Sequence, residues 1–356
     1  MNRYASPPRS TPVAIWLFAL AALVFLMVLL GGATRLTHSG LSITEWKPIK
    51  GAIPPLNTAE WTREFQHYQQ IPEYRLVNRG MSLDAFKGIY WWEWWHRLVG
   101  RLVGLAFILP FGWFWFRGEL PKRLIWRCLV LFGLGGLQGL IGWWMVSSGL
   151  AKLTSVAPER LAIHLGAALI LFVALIWTGL EALNGPERVR PSRRWTIAAG
   201  LVLGMAYVQC LLGALVAGNR AGLIYNDWPL MNGRFLAPIS WQGGFFHAFL
   251  HDQALVQFDH RMLAYALLLF VSVYAGLFLK GRMPEGMKVG MGALLGLVWL
   301  QAALGIATLM AVAPLWLAMI HQTGAVLVLT AATAGLWSML RFEQRSFGGG
   351  IGSRAL

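Results

Sequence analysis

Eight stretches of this chain, near 12–33, 90–116, 124–146, 161–183, 195–217, 259–279, 289–311 and 315–340, are apolar over the length needed to cross a lipid bilayer. A hydrocarbon core about 30 Å thick takes roughly 20 residues of helix, because each residue advances about 1.5 Å. The short alternating segments that a transmembrane β-barrel requires are absent. The expected fold is therefore an all-α polytopic membrane protein with eight transmembrane helices. Composition agrees, with 57% hydrophobic and 13% charged residues and a mean hydropathy of +0.55 over 356 residues. Arg3 and Arg9 precede the first stretch as they would in a signal peptide. That stretch is long and ends in GGATRLTHSG, without a small-x-small cleavage pattern, so it reads as a retained helix.

A net charge of +15 invites a nucleic-acid reading, but the charges sit in loops between apolar helices. Membrane orientation explains them better. With a cytoplasmic N-terminus the inner segments are 1–11, 117–123, 184–194, 280–288 and the tail from Arg341, and with Arg127 they carry 16 of the 30 Lys and Arg. This is the positive-inside pattern, and it places both termini in the cytoplasm. Two long outer loops, about 34–89 and 218–258, face the other side. The two cysteines, Cys128 and Cys210, fall inside spans and offer neither a disulfide framework nor a redox pair.

Four histidines, His96, His164, His260 and His321, lie in or at the rim of the apolar stretches and form two pairs that repeat along the chain. WEWWHRLVGRL surrounds His96 and VQFDHRMLAYAL surrounds His260, each with an Arg directly after the His. His164 in ERLAIHLGAALILF and His321 in WLAMIHQTGAVLVL each follow an Ile. The repeat extends further: SGLSITEWKPIKGAIPP at 39–55 parallels AGLIYNDWPLMNGRFLAP at 221–238, and LQGLIG matches LQAALG, pairing Gln138 with Gln301 and Gly142 with Gly305. The fifth helix carries the same Gln-x-x-x-Gly spacing at Gln209 and Gly213. Two pseudo-symmetric four-helix bundles follow as the expected architecture, spanning 1–187 and 188–356. The glycines read most simply as close-packing positions and the glutamines as cross-helix bonds.

An imidazole inside a bundle or facing lipid needs a partner, so the matched pairs point to two metal centres at one depth near the outer face. Zinc and copper sites usually take a third or fourth side-chain ligand, whereas two axial imidazoles complete a six-coordinate haem. Arg97, Arg101 and Arg261 at the outer rim are candidate partners for haem propionates, or simple interface anchors. His38, His67, His247 and His251 lie in the outer loops. His247 and His251 would share a helix face. The halves differ three residues before the first histidine of each pair, where Glu93 stands in one and Gln257 in the other. On a helix, Glu93 would point towards whatever His96 touches, and a carboxylate placed there suggests chemistry; an ion pair with Arg97 or bonds to Trp N–H groups are the alternatives.

These motifs together resemble the haem A synthase family, membrane enzymes that convert haem O to haem A for cytochrome oxidase. The resemblance covers nearly the whole chain: eight helices in two halves, E-x-x-H-R at Glu93 to Arg97, F-D-H-R at Phe258 to Arg261, and the single histidines His164 and His321. The lack of loop cysteines is similar to the alphaproteobacterial and mitochondrial subgroup. The resemblance implies an oxidoreductase that oxidises the C8 methyl of haem O to a formyl group by successive hydroxylations. It also implies that His260 and His321 ligate the iron of a resident haem b in the C-terminal half, with Arg97 and Arg261 as further cofactor-binding residues. His96 and His164 would flank the substrate haem iron in the N-terminal half, where Glu93 assists proton transfer or stabilises charge. Expected partners are haem O, a haem O synthase, an unknown electron donor and the lipid of a bacterial inner membrane, with no nucleic acid. The competing expectation is a di-haem b-type electron-transfer protein without substrate chemistry, although such proteins place their haems at different depths. A repeat-built transporter is a third reading, set against by the absence of interrupted helices with clustered polar residues.

Overall fold

A computed structural model describes residues 10–151, 153–185 and 192–341, which fold into helices joined by structured outer loops. In chain order these are α1 (Thr11–Leu36), α2 (Thr58–Tyr68), α3 (Pro72–Leu76), α4 (Leu83–Phe116), α5 (Lys122–Ala151), α6 (Pro158–Asn184), α7 (Arg193–Gly218), α8 (Phe245–His251), α9 (Gln253–Lys280), α10 (Glu285–Met310) and α11 (Leu315–Met339). Eight of them, all but α2, α3 and α8, are long and apolar enough to span a membrane. No strand occurs among the described residues, so the all-α polytopic fold is as the apolar stretches require. Large side chains such as Phe116, Leu109 and Leu269 are exposed along the spans, as lipid contact demands.

Two spans begin earlier than hydropathy indicates. Helix α4 starts at Leu83 rather than near 90, capped by Ser82, whose hydroxyl accepts from the Ala85 amide. Helix α9 starts at Gln253 rather than near 259, capped by Asp252, which accepts from Leu255 N. Hydropathy marks the part of a helix that meets lipid. A good N-cap carries the same helix out of the membrane through polar residues.

In the first half, α1 packs against α4 and α6, and α5 against α6. In the second, α7 packs against α9 and α11, and α10 against α11. The halves meet along α6–α7, α1–α11 and α6–α11. The first helix of each half thus touches the second and fourth helices of its own half and the fourth of the other. One difference is local: α4 and α5 meet more sparsely than α9 and α10.

At the end of the bundle that carries the long loops, residues 41–82 form a cap over the first half, where Tyr68 and Ile71 pack with Phe86, Tyr90 and Trp94 of α4. At the opposite end, Glu181 of α6 pairs with Arg127 and Arg123 of α5, and Arg341 donates to the Gly185 carbonyl at 2.7 Å. Arg3, Arg9, Arg188, Arg190, Arg345 and Arg354 of the inner-side charge count lie outside the described residues, as does the boundary between 187 and 188. Cys128 and Cys210 are free, within α5 and α7.

Candidate metal centres

The four histidines lie on the second and fourth helices of each half, α4, α6, α9 and α11. His96 and His164 stand close enough to interact electrostatically, and so do His260 and His321. A glycine of a neighbouring helix backs each ring. A Cβ built at Gly142 or Gly305 would stand 2.9 Å from Cε1 of His164 or His321, one at Gly213 would stand 3.2 Å from Cε1 of His260, and one at Gly31 would stand 3.3 Å from Nε2 of His96. The missing side chains are therefore the space the imidazoles occupy, a more particular role than close helix packing.

Three of the rings are also clamped. The amide of Gln138 donates to the His164 carbonyl at 2.8 Å and lies 3.1 Å from its Nδ1. Gln301 repeats this at His321, at 2.8 and 3.1 Å. Gln209 does the same at His260, at 2.9 and 3.0 Å. In all three glutamines Oε1 is buried without a hydrogen-bond partner. An imidazole that ligates a metal through Nε2 must carry its proton on Nδ1 and donate it to an acceptor. As placed, each glutamine turns its amide N–H and not its unpartnered oxygen to Nδ1, and Gln301 Oε1 lies towards Gly324, so the glutamines do not supply that acceptor. What fits a group taking two axial imidazoles per half is the number of rings and the glycine that makes room for each.

Glu93 is 3% exposed and accepts four hydrogen bonds. Ser42 Oγ and the Ile43 amide reach one oxygen at 2.8 and 2.9 Å, and Arg97 reaches the other through Nη2 at 2.6 Å and Nε at 3.0 Å. The ion pair weighed as an alternative from the sequence is thus present. Arg97 also donates to the carbonyls of Ile43 and Glu45. The second half repeats this with a neutral amide: Gln257 accepts from Arg261 Nη2 at 2.9 Å, and Arg261 donates to the carbonyls of Tyr225 and Leu230. Both arginines tie an outer loop to a spanning helix, as Arg101 does through the Pro48 and Lys47 carbonyls. Arg261 Nε is buried and unpartnered.

A second acid lies above this site. Glu73 on α3 is 4% exposed and accepts from the Tyr68 hydroxyl at 3.2 Å, while Asn78 donates to Tyr68 at 2.7 Å. Burial, reinforced by the negative charge of Glu93, pushes its carboxyl up to about 7. Its isolated position in a loop gave no sequence signal. Elsewhere, His38 meets Arg220 at 3.2 Å, the His247 and His251 rings face one another at 4.8 Å on α8, and His67 lies with Glu45 and Glu64 around Lys47. These loop histidines do not join the four in the spans. An apolar groove of about 650 Å³ between α5, α6 and α7, lined by residues including Val130, Leu134, Ile170 and Tyr207, lies inward of His164 and contains no histidine.

Fold and sites together define a polytopic membrane protein with a pair of partly buried histidines in each half. A family profile for cytochrome oxidase assembly proteins, COX15-CtaA, matches residues 14–333, and the chain belongs to that family. It is similar to a protein of a Caulobacter species named "Heme A synthase", 55% identical over 344 residues that cover 96% of this chain and all (100%) of the relative. A protein of the same name from Maricaulis maris is 50% identical over 341 residues, 95% of this chain and 99% of the relative.

Proposed function

We propose that this protein is a haem A synthase, an oxidoreductase that converts the C8 methyl of haem O to a formyl group. The observation that carries the reading is the repeated histidine frame with a charged difference: a glycine behind each ring and an arginine tied to loop carbonyls in both halves, but Glu93 where the other half has Gln257. Two frames alike in construction serve two haems, and the carboxylate marks the half in which charge must be managed. Family membership and the name shared by full-length relatives support the same conclusion.

In this reading residues 1–187 form the substrate half and residues 188–356 the cofactor half. His96 and His164 flank the iron of haem O, and His260 and His321 ligate the iron of a resident haem b, which supplies electron transfer when bound. Arg261 keeps Nε free towards a haem propionate. Arg97 holds the outer cap and fixes Glu93, whose charge stabilises the polarised methyl or the proton leaving it. The sparse meeting of α4 and α5 supports lateral entry of haem O from lipid, delivered by a haem O synthase in the bacterial inner membrane, with both termini in the cytoplasm. The electron donor is a separate partner.

Pigment extraction tests the reading. Purified protein supplied with haem O and a reductant is expected to yield haem A beside haem b; haem b alone with no formyl product would overturn it. Glu93→Gln is expected to keep the resident haem and lose formyl formation, and His260→Ala or His321→Ala to lose the resident haem. Full activity in Glu93→Gln would remove Glu93 from the chemistry.

A further inference from the structure

His247 and His251 stand four residues apart on α8 and so share one face of it. Their rings lie 4.8 Å apart, centroid to centroid, and neither makes a hydrogen bond among the described residues. A glycine makes room here too. A Cβ at Gly243 would stand 2.8 Å from His247 Cγ and 3.2 Å from its Nδ1, and the backbone there has a φ of +84°, which favours glycine. Nδ1 is the ring nitrogen nearer that glycine, so Nε2 is the one turned away from it.

Helix α8 packs on α6, where Glu159 in the first turn brings Oε2 to 3.8 Å from His251 Nε2. That is too long for a hydrogen bond, and Oε2 is buried with no partner. A carboxylate oxygen shut away from water without a donor is costly, so this position lacks a proton donor or a cation. The adjacent Arg160 does not supply one: it is held by the Trp144 carbonyl at 2.8 Å and lies over the Trp144 ring. Two ligand atoms of one tetrahedral zinc, at bonds of about 2.0–2.2 Å, stand about 3.4 Å apart, which is near the separation found here. The denser group of Glu45, Glu64 and His67 is different, because Lys47 Nζ already stands among its carboxylates, 3.2 Å from Glu64 Oε1.

We infer that His247, His251 and Glu159 form a binding site for a divalent transition-metal ion of the zinc class, which clasps the long loop of the second half to the first turn of α6. Two imidazoles and one carboxylate are a donor set for such an ion, with water in the fourth position; Mg²⁺ and Ca²⁺ prefer oxygen ligands throughout. His247 completes the set by turning about its own side-chain bonds, which its exposure allows and which breaks no hydrogen bond. The helix that carries the histidines is itself anchored: Asn219 at the end of α7 donates to the Leu250 carbonyl at 2.8 Å, and Asp252, the next residue after α8, caps α9. A bound ion therefore joins α6, five residues before His164, to the start of the helix that bears His260. The site lies apart from the two histidine pairs, so the inference goes beyond the reaction assigned to them and does not depend on it.

Zinc titration of haem-loaded protein, purified without a histidine tag and stripped with a chelator, tests the site while haem occupies the histidines of the spans. The wild type is expected to bind one Zn²⁺ per chain and to gain thermal stability on doing so, and Mg²⁺ is expected to do neither. Loss of an outer-shell partner alone costs about 10–100-fold in metal affinity, so His247→Gln and Glu159→Gln should each weaken Zn²⁺ binding by about tenfold or more. His67→Gln should leave it unchanged. His247 is exposed, so its replacement leaves the fold intact, which unchanged haem content checks. No Zn²⁺ bound by the wild type, or an affinity unchanged in both His247→Gln and Glu159→Gln, would overturn the proposal. Loss of Zn²⁺ in His67→Gln would overturn it as well, by placing the ion at the Glu45 and Glu64 cluster.

Discussion

A hydrogen atom in place of a side chain sets the position of each histidine ring. At Gly305 a methyl group would meet His321 Cε1 at 2.9 Å, inside normal van der Waals distance, and the backbone of α10 cannot retreat without opening its packing on α11. Overpacking of this kind costs about 1–3 kcal/mol, which corresponds to roughly 5- to 150-fold in affinity. Gly305→Ala is therefore expected to lower resident haem content with the fold retained. Gly142→Ala is expected to spare the resident haem and weaken the first-half site, which haem quantitation in purified protein distinguishes. Equal loss of both pigments in either variant would show that the glycines serve the bundle and not the rings. The histidines and Glu93 were legible in the sequence because membrane-length apolar stretches make any polar residue conspicuous. The Gln-x-x-x-Gly spacing was visible too, but its target was not: the glutamines reach rings 20, 26 and 51 residues away, and helical periodicity carries no information across helices.

The short helix α3 shows the limit of legibility at the scale of an element. Hydropathy located all eight spans, yet the stretch at 34–89 read only as a long loop, whereas it holds α2, α3 and the first turns of α4 around Tyr68 and Phe86. Its polar composition conceals a small core that is completed only by side chains from the spans. Within it, Glu73 has a folded-state pKa raised from 4.5 to about 7, chiefly by burial. The folded protein then holds a proton that the unfolded chain has released, so stability falls as pH rises from about 4.5 through 7. Arg220 and Arg35 oppose the shift, and Glu93 and burial produce it. Glu73→Gln is expected to unfold like the wild type at pH 5 and to be the more stable of the two at pH 8. Thermal unfolding in detergent at the two pH values measures this, and a wild-type advantage at pH 8 would mean that the ionised carboxylate is stabilising. On α4, Glu93→Gln should keep the cap attached, since Gln257 holds Arg261 in the same way, while Glu93→Ala leaves the Arg97 charge uncompensated at a cost of about 3–5 kcal/mol.

For the whole molecule the spans came out in the number and order that the apolar stretches indicate. The contacts between halves were not readable, because they depend on which faces of α1, α6, α7 and α11 meet. Helix α1 carries two adjacent glycines with separate tasks. Gly31 backs His96, and Gly32 leaves room for the amide of Gln322, which follows His321 and donates to the Val28 carbonyl at 2.7 Å. One helix is therefore a common wall for both histidine pairs. A duplicated unit is usually pictured as two modules free to drift apart over evolutionary time, each keeping its own site intact. Here one helix packs on His96 and on the neighbour of His321, so a shift of α1 forced by a substitution at either glycine is transmitted to the other contact as well.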